Sequence, residues 1–246
     1  MSSSGHLGLV PELLGWEYVR LDPELRKSFE VALHAGTALA LALVLRAEVA
    51  EALRGLTPRR LASIGLTFLP AALVAAPFER AIERRLGSAR SVALAQVCAG
   101  LALALADLRP AERGHDDAGQ LDHLLIGCGQ AVALVPGVSR NGATLTAARL
   151  LRFSRPAASE LSRHAALPVI AAATGLKTLR LGRRGLPRPL RAPFAAGAAA
   201  AFVSTRASSR LIGVIDGARS YLPFAAYRVA LGALVLVARH RRARPL

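Results

Sequence analysis

Apolar residues in this chain gather in long runs with almost no polar face. The runs at 29–45, 61–78, 92–108, 157–179, 193–207 and 221–238 approach the roughly 20 residues a helix needs to cross a bilayer. Polar intrusions are few. Glu30 and His34 sit in the first run, Glu160 and His164 in the fourth, and Arg206 and Arg210 interrupt the fifth as it continues toward Ile215. Arginine-rich loops separate most of the runs. A large water-soluble helical bundle should show helices with a clear polar side, and 92–106 shows none to speak of. The pattern predicts an all-α, polytopic membrane protein with about six transmembrane helices.

Two shorter apolar pieces, 124–135 and 143–153, flank the break PGVSRNG at 136–142. Helix, break, helix within one membrane-length stretch reads as a re-entrant pair. Non-helical backbone at that depth is tolerated where it is buried in protein or lines a wet cavity. Arg140 would be costly there without a partner or an anionic ligand. A loose echo occurs earlier. SSSG at 2–5 resembles SRNG at 139–142, and Glu-x-x-x-His-Ala follows each, at Glu30/His34/Ala35 and Glu160/His164/Ala165. Weak internal symmetry of this kind marks inverted repeats. We expect one integral membrane domain made of two such repeats, 1–120 and 121–246, each with a re-entrant helix pair. Three spans would lie between the hairpins, an odd number, so their tips would enter from opposite faces.

Composition narrows the partners. The formal charge is +16 with 53% hydrophobic residues. The arginines collect in clusters between apolar runs, at 59–60, 80–90, 180–191 and 239–244, and aromatic residues make up 4%. Base-stacking platforms are therefore not expected, and nucleic acid is excluded as a partner. The loops after the second, fourth and sixth spans are the more basic, which favours them weakly as cytoplasmic. Cys98 and Cys128 show no paired spacing and read as small buried hydrophobes. No signal peptide is expected from the polar opening MSSSGH.

The break carries the chemistry. Gly137 and Gly142 permit backbone geometries closed to other residues, and Pro136 ends the incoming helix. The next helix would start near Asn141 to Thr144, aiming free N–H groups at the break, where helix N-termini bind anions. Arg140 adds a fork suited to phosphate oxygens, and Ser139 and Thr144 add hydroxyls. The bland alternative is a Pro-Gly turn with a surface arginine. At the first break, Ser2, Ser3 and Ser4 lie beside Gly5 and His6. A serine near an imidazole can be a nucleophile with its proton acceptor, although a terminal SSSGH also fits a frayed tail.

LVPGVSRNGAT followed by FSRPAASELS closely resembles the second signature of the bacitracin-resistance type undecaprenyl-diphosphatases. SSSGHL and FEVALHAGTALA resemble the end of that family's first signature and the helix after it, and LIGCGQAVALVPG fits as well. The likeness covers essentially the whole chain, with Asn141 where the family usually has a second serine. It implies a bacterial inner-membrane enzyme with two inverted repeats. The implied reaction hydrolyses undecaprenyl diphosphate to the monophosphate, with a divalent cation, Mg2+ or Ca2+, as cofactor. The resemblance places Ser3, His6 and Arg140 on the family's functional positions. Ser2, Ser139, Asn141, Gly142 and Thr144 would line the diphosphate. It also implies polyprenyl diphosphate and membrane lipids as partners and a site open to the periplasm; a homodimer is left open. A lipid-phosphate flippase or a catalytically degenerate homologue is the alternative.

One departure matters. The family's first signature opens with an E-x-x-x-E pair that suits a hard cation, and this chain starts at Met1 without it. A true start upstream is the favoured expectation, a degenerate member the other. Glu30 and Glu160 are the carboxylates that could support the site, or else helix N-terminal charges satisfied by the dipole. Glu12 and Glu17 are read as interfacial. His34 and His164 are read as packed residues, since no carboxylate-histidine spacing typical of zinc is present. The acidic stretch 112–122 is read as a solvated loop.

Overall fold

The computed structural model describes residues 3–47, 50, 54–184, 187–209, 217 and 219–242. Ser2 lies outside these residues, and of Ser3 the backbone alone is described. The α-helices are α1 (Ser3–Leu14), α2 (Pro23–Val44), α3 (Pro58–Leu86), α4 (Ala89–Asp107), α5 (Gln120–Val132), α6 (Arg140–Leu150), α7 (Arg155–Arg184), α8 (Arg188–Ser208) and α9 (Leu222–Arg242). Ser88 caps α4 by accepting from the Ser91 N–H, and Asp22 caps α2 by accepting from the N–H groups of Glu24 and Leu25. Both are the expected answer to orphan donors at a helix start.

Four helices, α2, α3, α4 and α9, are long and apolar enough to cross a membrane. Leu101, Leu105, Leu234 and Val237 on them are exposed, as lipid-facing side chains are. The predicted spans at 157–179 and 193–207 fall within α7 and α8, which match them in length but carry more charge. At 13 and 11 residues, α5 and α6 reach about 20 Å or less, short of the ~30 Å hydrocarbon core. They form the helix-break-helix expected around the PGVSRNG stretch. The chain is a multi-pass membrane protein.

The chain divides into two compact units, each drawn from both halves of the sequence. One comprises Met1–Val19, Ala62–Ala166 and Asp216–Leu246, and the other Arg20–Leu61 and Leu167–Ile215. In the first unit α9 lies along α4. Their backbones approach closely because Gly100 faces the Ala225 carbonyl and Gly232 faces that of Ala93. Small residues at such a crossing allow the van der Waals contact that drives association in lipid. Leu9 of α1 packs with Val92, Ala93 and Val235. Helix α5 meets α3 where Gly127 abuts the Leu66 and Thr67 carbonyls, and Gln130 donates to the Thr67 carbonyl (2.8 Å). In the second unit α2 packs on α8, with Gly36 against Ala198 and Phe29 edge-on to Phe194 (5.3 Å).

Asp107 fastens the first unit. Its buried carboxylate accepts from Arg155 Nε (2.7 Å), the Tyr221 N–H (2.8 Å) and Ser220 Oγ (3.0 Å), and Arg149 Nε lies 3.5 Å away. Helices α4, α6, α7 and the start of α9 thus converge on one residue.

Two expectations need correction. Cys98 and Cys128 are exposed, not buried; in a membrane protein an apolar surrounding can be lipid as well as core. The acidic stretch is not simply solvated. Asp122 is buried and pairs with Arg113 through both oxygens (2.8 and 2.6 Å), and the Gly119 N–H donates to it. The Arg113 guanidinium beside it is the main reason its carboxyl lies below the usual carboxylate range.

Candidate active site

The break is built by backbone geometry. Helix α5 unwinds through Leu134 and Val135, whose N–H groups donate to Ala131 and Val132. Gly137 then takes φ 98°, and a side chain there would collide with the Val92 carbonyl. Ser139 also has positive φ, 67°, a region that residues other than glycine rarely adopt. Strain of this sort persists where surrounding structure over-determines it. Ser139 Oγ accepts from the Gly142 N–H (3.3 Å), and its carbonyl accepts from Ala143 (2.9 Å). The N–H groups of Arg140 and Asn141, in the first turn, have no intrahelical acceptor.

Two guanidinium groups meet this turn. The Arg140 side chain is half-buried and has no hydrogen bond or ion pair among the described residues. Arg228, from the middle of α9, is 3% exposed. Its Nη2 donates to the Gly137 carbonyl (3.0 Å) and to that of Val138, while Nη1 lies against Gly142. Arg228 Nε and Nη1 have no hydrogen-bond partner among the described residues. A Cβ on Gly142 would strike Nη1, so a larger residue there would displace the guanidinium.

Asn141 and Thr144 turn toward α7. Ser162 Oγ donates to Asn141 Oδ1 (2.7 Å), and Thr144 Oγ1 lies 2.6 Å from Ser162 Oγ and bonds the Arg140 and Asn141 carbonyls. These two residues therefore lock the helix start. The Arg140 side chain, the first-turn amides and the two unpaired Arg228 donors are the groups left for a ligand.

At the other predicted break, Gly5 and His6 lie in α1. His6 Nε2 lies 2.8 Å from Tyr227 Oη, with the rings stacked at 5.6 Å. Tyr227 precedes Arg228, so neighbouring residues of α9 touch His6 and the second break. Glu12 pairs with Arg239. Glu30 lies on α2, where its carbonyl bonds His34 Nδ1 (2.6 Å), and Glu160 lies near His115.

Sequence reasoning missed Arg228, Tyr227 and Ser162. The signal for the first was a lone arginine in the middle of the apolar run 221–238. The donor set is guanidinium, backbone N–H, hydroxyl and amide, and among the described residues no carboxylate pairs with Arg140 or Arg228. That chemistry suits an anion and does not fit a hard divalent cation, which takes oxygen ligands.

The family model for bacitracin resistance protein BacA matches residues 1–234. The chain is 39% identical to an undecaprenyl-diphosphatase of Geobacter sulfurreducens, over 96% of this chain and 90% of that protein. It is 38% identical to one of Trichlorobacter lovleyi (94% and 88%) and 34% identical to one of Campylobacter concisus (96% and 91%). A match across nearly all of its length makes this chain a member of the bacitracin resistance protein BacA family.

Proposed function

We propose that the chain hydrolyses undecaprenyl diphosphate to undecaprenyl phosphate and inorganic phosphate, recycling a lipid carrier for cell-wall synthesis. The site would open to the periplasmic side of the bacterial inner membrane. The observation that carries this reading is the α6 N-terminus. There the Arg140 side chain has no hydrogen-bond or ion-pair partner among the described residues, and Arg228 holds the turn from beneath. Relatives across the whole chain bear the name of that activity.

Cleavage of the anhydride breaks the bond between the bridging oxygen and the terminal phosphorus, and charge moves onto the leaving monophosphate. Such transfers depend mainly on positioning and charge stabilisation. Arg140 and the α6 amides would hold the diphosphate and offset that charge. His6 would act as nucleophile or proton carrier, with Tyr227 fixing its ring, and Ser3 as nucleophile or phosphate ligand. The divalent cation that the family resemblance implies has no carboxylate ligand in this break.

The test is phosphate release from undecaprenyl diphosphate by the purified full chain in detergent, and by Arg140→Ala. Release by the wild type that vanishes in the variant supports the reading. Lipid translocation in vesicles without phosphate release overturns it in favour of a flippase.

A further inference from the structure

The loop between α4 and α5 brings a third side chain to the Glu160/His164 pair on α7. The donor atoms of His115, Glu160 and His164 all lie within 4.8 Å of one another. His115 Nε2 stands 3.7 Å from Glu160 Oε1, and the two imidazoles meet edge to face at 5.5 Å. Glu160 and His164 are one turn apart and so share a face of the helix. We infer that these three residues form a binding site for a zinc-class divalent transition metal.

The donors fit such an ion. Two imidazoles and one carboxylate are a set zinc accepts, whereas magnesium and calcium ask for oxygen. His115 is oriented as a ligand should be. Its Nδ1 lies 3.3 Å from Asp116 Oδ1, which leaves Nε2 to face Glu160. A carboxylate on the far nitrogen fixes tautomer and ring in this way at many metal centres. Ligand atoms around a tetrahedral zinc stand about 3.4 Å apart, from bonds of ~2.1 Å, so a small inward movement of partly exposed side chains completes the sphere. The fourth position is left to water or an anion.

The loop is held in place for this purpose by contacts independent of any ion. Glu112 and Arg113 donate backbone N–H groups to the Arg152 carbonyl (3.0 and 3.2 Å), and Ser154 donates to that of Arg113 (2.8 Å). Arg113 lies over the Phe153 ring at 4.2 Å while its guanidinium grips Asp122. Asp117 accepts from the Gly114 N–H (2.7 Å), closing the short turn that presents His115. The loop is thereby pinned to the residues that lead into α7, and preorganised ligands lose less entropy on binding. Ser162, on the opposite side of the same turns of α7, bonds Asn141 beside Arg140. A bound ion would brace the helix whose inner face sets the break.

The test uses the full chain, purified in detergent with an affinity tag free of histidine and stripped by chelator. Zn2+ is titrated by calorimetry, and Co2+ serves as the spectroscopic probe. One ion per chain at micromolar concentration, with the intense visible bands of tetrahedral cobalt, is the expected result. His164→Leu and Glu160→Gln should each weaken binding ~tenfold or more, and Asp116→Asn by roughly tenfold, as loss of an outer-shell partner does. His115→Asn, in the loop, supplies the same reading if a helix variant does not fold, and thermal unfolding without metal verifies folding for each. No binding by the wild type, or equal affinity in the wild type and a variant combining His115→Asn, Glu160→Gln and His164→Leu, overturns the site.

Discussion

Arg228 reaches from α9 to the carbonyl of Val138 and stands directly beneath the first turn of α6. A second cation under a helix start that already carries Arg140 is stable where an anion balances it or where its donors are all used. Two of its donor atoms are not.

Arg228 is therefore expected to serve both the turn and the ligand. Arg228→Lys keeps the charge and loses the fork. The loss of its charged hydrogen bonds should cost about 2–4 kcal/mol, read as a lower thermal midpoint in detergent. Phosphate release should fall through a raised KM, because the turn that places Arg140 relaxes. Gly142→Ala displaces the same guanidinium by its Cβ and should reproduce the kinetic loss with less effect on the midpoint. Unchanged KM in both variants would remove Arg228 from the site.

Tyr227 holds His6 by one hydroxyl and one ring face. Tyr227→Phe keeps the stack and removes the hydrogen bond, worth about 1 kcal/mol. If His6 carries protons or attacks phosphorus, kcat should drop roughly five- to tenfold while KM stays put. Steady-state kinetics on the variant decide it, and an unaltered kcat assigns the pair a packing role.

The parts of this architecture that the sequence exposed are those written in local pattern. Residues 124–135 and 143–153 are too short to span, and PGVSRNG between them could only be a break; both short helices and the turn are there. What stayed hidden depends on partners far along the chain. Asp107 lies inside the apolar run 92–108 and drew no attention, because its partners Arg155, Ser220 and Tyr221 lie far along the chain. Thr144 looked like a ligand for phosphate and instead faces Ser162. His164 lacked a zinc-type neighbour in local spacing because His115 approaches from a separate loop. Cys98 and Cys128 misled because apolarity does not say whether a residue meets protein or lipid.

Asp122 gives the fold an acid-side sensitivity. Its carboxyl is held below 3.8, chiefly by the Arg113 hydrogen bonds. A depressed folded pKa adds stability that is complete above the unfolded value and is lost as pH falls through the folded one. Thermal midpoints measured downward from pH 5 should therefore decline as the loop clamp protonates. Asp122→Asn should be destabilised at neutral pH and show a shallower decline. A variant with the wild-type slope would place the acid sensitivity elsewhere.

Asp107 is the most exacting residue of the fold. Its carboxylate is buried at 3% exposure and accepts from Arg155, Ser220 Oγ and the Tyr221 N–H, while Arg149 stands close by. Asp107→Asn keeps the shape but turns one acceptor into a donor and leaves the buried Arg149 and the half-buried Arg155 facing a neutral group. Removing one partner of a buried pair costs roughly 3–5 kcal/mol, so the variant should unfold far below the wild type or fail to accumulate. Arg155→Lys tests the same hub more gently, because a point charge can still reach the carboxylate while the bond from Nε is lost. It should lower the midpoint without altering KM, since the hub supports the helices and does not reach the break. A change confined to KM would mean that Asp107 shapes the binding turn itself and belongs to the site as well as to the scaffold.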